Sequence, residues 1–119
     1  MQKKAIVGKK GEQIAQEFLI SRNYKIIAIN FHSRFGEIDI IAIERGIIHF
    51  CEVKTRTTLT FGTPEEAVNR KKIERMKKTI QCYQQENGFI PWQVDIIAIY
   101  LDHAQKTKKM IHYKNIPLS

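Results

Sequence analysis

Cysteine is scarce in this chain: Cys51 and Cys82 are the only two in 119 residues, without C-x-x-C spacing and each among apolar neighbours. No disulfide framework or thiol-rich metal site can be built from them, and both are expected to be reduced core residues. Long apolar runs are also missing. The longest, such as 38–43, is interrupted by Asp39 and falls far short of the roughly 20 residues of a helical membrane span. The basic start Met1-Gln2-Lys3-Lys4 leads into no signal-like apolar stretch, because Lys9, Lys10 and Glu12 interrupt it. An unprocessed, cytoplasmic protein with no membrane partner is expected. Ser21, Ser33 and Ser119 lie outside any G-x-S-x-G elbow, and Gly8 and Gly11 lack the Gly-Lys-Ser/Thr ending of a phosphate-binding loop. Nucleophilic serine chemistry and a nucleotide cradle are thereby disfavoured. The histidines His32, His49, His103 and His112 show no zinc spacing, and each reads as a surface or strand-face residue.

Acid is outnumbered: 12 Asp and Glu stand against 20 Lys and Arg, a net charge of +8. Such an excess suits a polyanionic partner, nucleic acid first. At 43% hydrophobic and 27% charged, with no repeat or low-complexity segment, the chain reads as one globular domain over 1–119.

Apolar periodicity predicts a helix over 9–22, with Ile14, Ala15, Phe18 and Leu19 inward and Asn23 closing it. Segments 24–31, 36–44 and 47–54 read as strands, the last two joined by a tight turn at Arg45-Gly46. A Thr-rich polar loop over 55–62 follows. Thr63, Pro64 and Glu66 then mark a helix start, and the helix runs to about Asn87 before Gly88. Its inward stripe is Ile73, Met76, Ile80 and Tyr83; Arg70, Lys71, Lys72, Arg75, Lys77 and Lys78 form a basic side. A strand over 92–101 pairs with 110–113 across the turn 102–109. The order is αβββαββ, an α/β fold.

The hairpin carries the sharpest chemical inference. With Glu44 and Ile47 flanking a two-residue turn, opposed residues have numbers summing to 91, so Asp39 faces Glu52 and Glu37 faces Lys54. Two carboxylates on a largely apolar strand pair cost several kcal/mol each if unpaired. A hard divalent cation such as Mg²⁺, or Mn²⁺, would offset that and could activate a water toward a phosphodiester, with Lys54 assisting. The alternative is that Lys54 bridges Glu37 and Glu52 as an ion pair. Glu12, on the stripe of Ala15 and Leu19, tilts toward the core and could reach the same cation; equally, it could be a first-turn acid at the positive end of the helix dipole.

Gly11-Glu12, Gly36-Glu37-Ile38-Asp39, Glu52-Val53-Lys54-Thr55-Arg56, Phe61-Gly62, and Glu66-Ala67-Val68 with Lys72 together resemble the bacterial YraN-like family, over roughly Gly8 to Ile99. That family resembles the PD-(D/E)XK nucleases, and among them the archaeal Holliday-junction resolvases. The resemblance implies a restriction-endonuclease-like core, a mixed β-sheet flanked by helices. It also implies that Asp39 and Glu52 are metal-binding acids, Lys54 the motif lysine, Glu12 the helix acid and the Val53 carbonyl a further metal contact. Ile38 stands where the superfamily name has Pro. Gln81 is followed four residues later by Gln85 rather than Tyr, a departure from the RecB-like branch. A resolvase-like protein is expected to form a homodimer.

The expected activity is therefore a Mg²⁺-dependent endonuclease acting on DNA, in preference to RNA, at branched structures. Arg56, Arg70, Lys71, Lys72 and Arg75 would bind the backbone, with Lys72 nearest the site. The rival expectation is a nucleic-acid-binding protein that keeps the architecture without turnover.

Overall fold

A computed structural model of the chain describes residues 2–57 and 70–118, with side chains from residue 8 onward. Helix α1 (Gln2–Ser21) is followed by strands β1 (Lys25–Ser33), β2 (Gly36–Glu44) and β3 (Ile47–Thr57), helix α2 (Arg70–Asn87), and strands β4 (Trp92–Leu101) and β5 (Thr107–Tyr113). The five strands form one sheet in the order β1-β2-β3-β4-β5. Neighbours are antiparallel except β3 and β4, which run parallel because α2 carries the chain between them. The element order is the αβββαββ expected from the pattern, and the mixed sheet with flanking helices is the one the resemblance implies. The helix start at Thr63, the Phe61-Gly62 pair and Glu66-Ala67-Val68 lie outside the described residues.

Strand alternation divides the apolar residues between the faces. Ala15 and Leu19 of α1 pack with Ile40, Ala42, Cys51, Ile97 and Ile99. Met76, Ile80 and Tyr83 of α2 pack with Ile41, Ile48, Phe50 and Val94 on the other face. Cys51 is buried as expected, whereas Cys82 is only half-buried, because it lies beside the inward stripe of α2.

Several boundaries differ from expectation. Helix α1 begins at Gln2, seven residues earlier than the apolar stripe suggests, since Lys, Gln and Ala propagate a helix well without one. Strand β1 extends to Ser33 because His32 and Ser33 pair with Glu37 and Gly36. Strand β3 extends to Thr57 through pairs with Ile99, Tyr100 and Leu101, so 55–57 is strand rather than loop. The turns match expectation: Asn23 (φ 70°) ends α1, Gly88 (φ 94°) ends α2, and Arg45 and Gly46 (φ 54° and 77°) make the two-residue hairpin.

Gly11 occupies a helix interior where glycine ordinarily costs about 1 kcal/mol relative to alanine. A Cβ there would collide with the Thr55 side chain. The missing side chain lets α1 lie close against β3, which carries Glu12 toward the sheet.

Candidate functional site

The β2–β3 ladder follows the expected register from Glu44↔Ile47 to Ile40↔Cys51, and there it stops. In a regular strand Ile38 and Ile40 would share a face. Instead Ile40 packs on the α1 side and Ile38 on the α2 side, so β2 turns over between them, at Asp39. On the neighbouring strand Asn30 has a positive φ of 51°, and the β1–β2 pairs skip from Ile29↔Ile40 to Phe31↔Ile38. Asp39 therefore has no regular ladder partner on either side. Its carboxylate supplies one: Asp39 Oδ2 accepts the Val53 N–H of β3 at 2.8 Å.

This break brings groups from both faces together. Glu52, 7% exposed, receives two ammonium groups on one oxygen, with Lys72 Nζ at 2.6 Å and Lys54 Nζ at 3.3 Å from Oε1. The Asn30 amide, with its nitrogen toward the acids, donates to Glu37 Oε1 at 3.0 Å and to Glu12 Oε1 at 3.1 Å. A cleft of about 460 Å³ opens over Asp39 and Glu52, walled by Gly36 and Glu37 on one side and by Lys71, Lys72 and Arg75 on the other.

Burial and crowding of like charges set the electrostatics. Burial, then the Glu52 charge, pushes the Asp39 carboxyl up to about 7; Glu12 and Glu37 add to this, and the Val53 N–H opposes it. Glu12 is raised by burial and by Glu37 and Glu52. The two lysines separate: burial and the neighbouring Lys72 lower Lys54, whereas the hydrogen bond and charge of Glu52 raise Lys72 against the effect of its burial.

The sequence-predicted residues fall into three groups. Asp39, Glu52 and Lys72 line the cleft with Lys71 and Arg75, while Lys54 reaches Glu52 and the Val53 N–H reaches Asp39. Glu12 approaches through Asn30 from the other face, and it lies in mid-helix, because α1 begins at Gln2. The first-turn dipole reading is thus excluded. The ion pair of Lys54 with both Glu37 and Glu52 is found only in part, since Glu37 lies 3.4 Å from His32 Nδ1 instead, beyond the end of the ladder. Arg70 is exposed at the first described turn of α2. Arg56 bonds the Thr55 carbonyl through Nη1, and its buried Nε has no partner among the described residues.

The donor set can be tested for a cation. Among the described residues no three side chains of His, Cys, Asp and Glu converge as metal ligands. Asp39 and Glu52, side by side in the cleft, provide hard oxygen donors of the kind Mg²⁺ takes alongside retained waters. Burial and the neighbouring acid charges that raise Asp39 both penalise its anionic form, and a divalent ion would offset that penalty.

A second polar cluster escaped the sequence reading. Asp95, fully buried on β4, takes His49 Nδ1 of β3 at 2.7 Å and His112 Nε2 of β5 at 2.8 Å on one oxygen. Its other oxygen accepts Gln93 Nε2 at 2.9 Å and the Asn115 N–H at 3.0 Å. Burial alone would raise this carboxyl, but the bonds from His112, Asn115, Gln93 and His49 hold it at about 2. The signal was a His or Asp set among apolar neighbours in each of three strands, legible only with the strand order known. His49 and His112 are strand-face residues, but in the interior rather than at the surface.

The model of the family described as "Uncharacterised protein family UPF0102" matches residues 11–99, the span holding every element of the cleft. A UPF0102 protein of Caldanaerobacter subterraneus subsp. tengcongensis is 40% identical over 112 residues, covering 92% of each chain. One from Alkaliphilus oremlandii is 41% identical over 111 residues, covering 92% of this chain and 95% of its own. One from Persephonella marina is 40% identical over 112 residues, covering 92% and 91%. This chain belongs to the UPF0102 family, the YraN-like family of the sequence resemblance.

Proposed function

We propose that this chain is a metal-dependent endonuclease of the PD-(D/E)XK, resolvase-like kind, hydrolysing DNA phosphodiester bonds at branched structures. It would act in the cytoplasm, as a homodimer, with Mg²⁺ or Mn²⁺. The observation that carries the reading is that Asp39 and Glu52 line one cleft beside the basic turn of α2, with the Lys54 ammonium against Glu52, at the point where the β2–β3 ladder is interrupted.

Asp39, Glu52 and the Val53 carbonyl would hold the cation, with Glu12 adding negative charge from α1. When bound, the ion supplies Lewis acidity and an activated water. Lys54, whose proton is loosened by burial and by Lys72, is suited to accept or hold a proton beside the attacking oxygen. Lys72 keeps its charge and offsets negative charge at Glu52 and at an incoming phosphate. Lys71 and Arg75 on the cleft wall, together with Arg70 and Arg56, would hold the phosphate backbone.

Purified protein with Mg²⁺ or Mn²⁺ should cut at least one of linear, nicked, flapped and four-way DNA. Asp39→Asn and Glu52→Gln should each lower the rate by about a hundredfold or more while salt-sensitive binding persists. Equal activity in wild type and both variants would assign the cutting to a contaminant and end this reading.

One observation favours a second reading, a DNA- or RNA-binding protein without turnover. Two ammonium groups already sit on Glu52, and no trio of ligand side chains converges among the described residues. Such a protein would bind with a steep salt dependence and leave every DNA in the panel intact.

A further inference from the structure

The β1–β2 turn holds an aromatic ring that the core does not use. His32↔Glu37 and Ser33↔Gly36 are the last pairs of the hairpin, which leaves Arg34 and Phe35 as its tip. Phe31, four residues earlier, packs against the α2-side core; Phe35 belongs to neither apolar cluster. The tip is nevertheless fixed. Ser33 Oγ accepts the Phe35 N–H at 3.0 Å and lies 2.8 Å from Thr79 Oγ1 of α2. Two cations sit against the ring, Arg34 Cζ at 4.8 Å and Lys78 Nζ at 5.3 Å from its centroid.

Beside this ring lies a second cleft, of about 530 Å³, whose α2 wall carries Lys78, Gln81, Cys82 and Gln85. It adjoins the carboxylate cleft: Ser33 and Phe35 line one, Gly36 lines the other, and both share α2 as a wall. Gln81 follows Arg75 by six residues, about 9 Å along the helix axis. That is close enough for neighbouring nucleotides of one strand.

The chemistry of this cleft suits a base rather than a paired duplex. A base that displaces one of the two cations over the pinned ring gains an aromatic surface on which to stack, and the guanidinium plane of Arg34 is a second such surface. Glutamine amides donate and accept, so Gln81 and Gln85 can meet the edge of any base. Lys78 and Arg34 supply charge for the adjoining phosphates. Glu86, the acid in this wall, lies eight residues beyond Lys78, about 12 Å along α2. A base held in a duplex stack cannot enter such a slot without being unpaired.

We propose that the cleft beside Phe35 receives an unpaired DNA base, so that the substrate carries an unstacked nucleotide next to the bond that is cut. This rests on the nuclease reading and adds its substrate class.

The test uses Asp39→Asn protein, to suppress turnover, and two probes: a fully paired duplex and the same duplex with one bulged base. Fluorescence anisotropy should show tighter binding of the bulged probe by about tenfold or more. Phe35→Leu, which keeps an apolar side chain but removes the ring, should abolish that preference, and Phe35→Trp should retain it. Placement is read separately, with Phe35 intact, by tethering an activated mixed disulfide to the bulged base, which the Cys82 thiolate can attack with release of the small leaving thiol. A disulfide to Cys82 should form there, fall by about tenfold when the base is paired, and disappear in Cys82→Ser, while Cys51 is buried. Binding of both probes with no preference, a preference that survives Phe35→Leu, or equal trapping of paired and bulged bases would overturn the base slot and leave the nuclease reading standing. Binding of neither probe would overturn both.

Discussion

Lys72 Nζ lies 2.6 Å from Glu52 Oε1, the same oxygen that Lys54 Nζ approaches at 3.3 Å. A carboxylate that the hairpin pattern sets against another acid is thus met from across the sheet by a helix cation as well as by its strand neighbour. The helix lysine keeps its proton more firmly and the strand lysine less so, because Glu52 holds Lys72 the more closely and Lys72 disfavours a second charge on Lys54.

If Lys72 stands where a divalent ion would place its charge, removing the ammonium should strengthen cation binding. Lys72→Gln is expected to bind Mn²⁺ about tenfold more tightly than wild type by isothermal titration calorimetry, the result of losing a like charge a few ångströms away. Unchanged or weaker binding would show that the lysine does not compete with the ion.

The second prediction concerns pH. Asp39 has a folded-state value of about 7 against an ordinary 3.8. With its pKa raised on folding, the group's contribution to stability is complete below about pH 4 and is lost as pH rises through 7. Asparagine can still accept the Val53 N–H and carries no charge. Asp39→Asn should therefore be more stable than wild type by about 1–3 kcal/mol at pH 8 without divalent ions, with little difference at pH 4. Saturating Mg²⁺ should narrow the gap by stabilising wild type alone. Thermal melts across this range decide it; a variant less stable than wild type at pH 8 would contradict the crowding of acids described above.

Asp95 should behave in the opposite sense. Its carboxyl is held at about 2 by the bonds from His112, Asn115, Gln93 and His49, so its contribution of about 2 kcal/mol is present above pH 4 and lost as pH falls toward 2. Asp95→Asn replaces one acceptor oxygen with a donor facing donors, and should cost about 2–4 kcal/mol at neutral pH by urea denaturation. The variant should also lose less stability than wild type between pH 4 and 2. A loss below about 1 kcal/mol would show that the two histidines find other partners.

How far the site could be read in advance depended on the range of the interactions involved. The Arg45-Gly46 turn and the alternation of β2 and β3 are local, so register and the approach of Asp39 to Glu52 followed from counting residues. The turnover of β2 at Asp39 did not, because it depends on two neighbouring strands and on the positive φ of Asn30. The first-turn reading of Glu12 arises because the inward stripe marks the helix only from about residue 9, while α1 extends back to Gln2.

Residue order thus specified the strands, the helices, the hairpin register and the acidic and basic chemistry, since each arises from contacts between residues close along the chain. Packing in three dimensions decided that Lys72 rather than Glu37 accompanies Lys54 at Glu52, that the close approach at Gly11 carries Glu12 toward the sheet, and that His49, Asp95 and His112 join across three strands. Those partners lie tens of residues apart in sequence or on different layers, and only the order of strands and the seating of each helix brings their side chains within bonding distance.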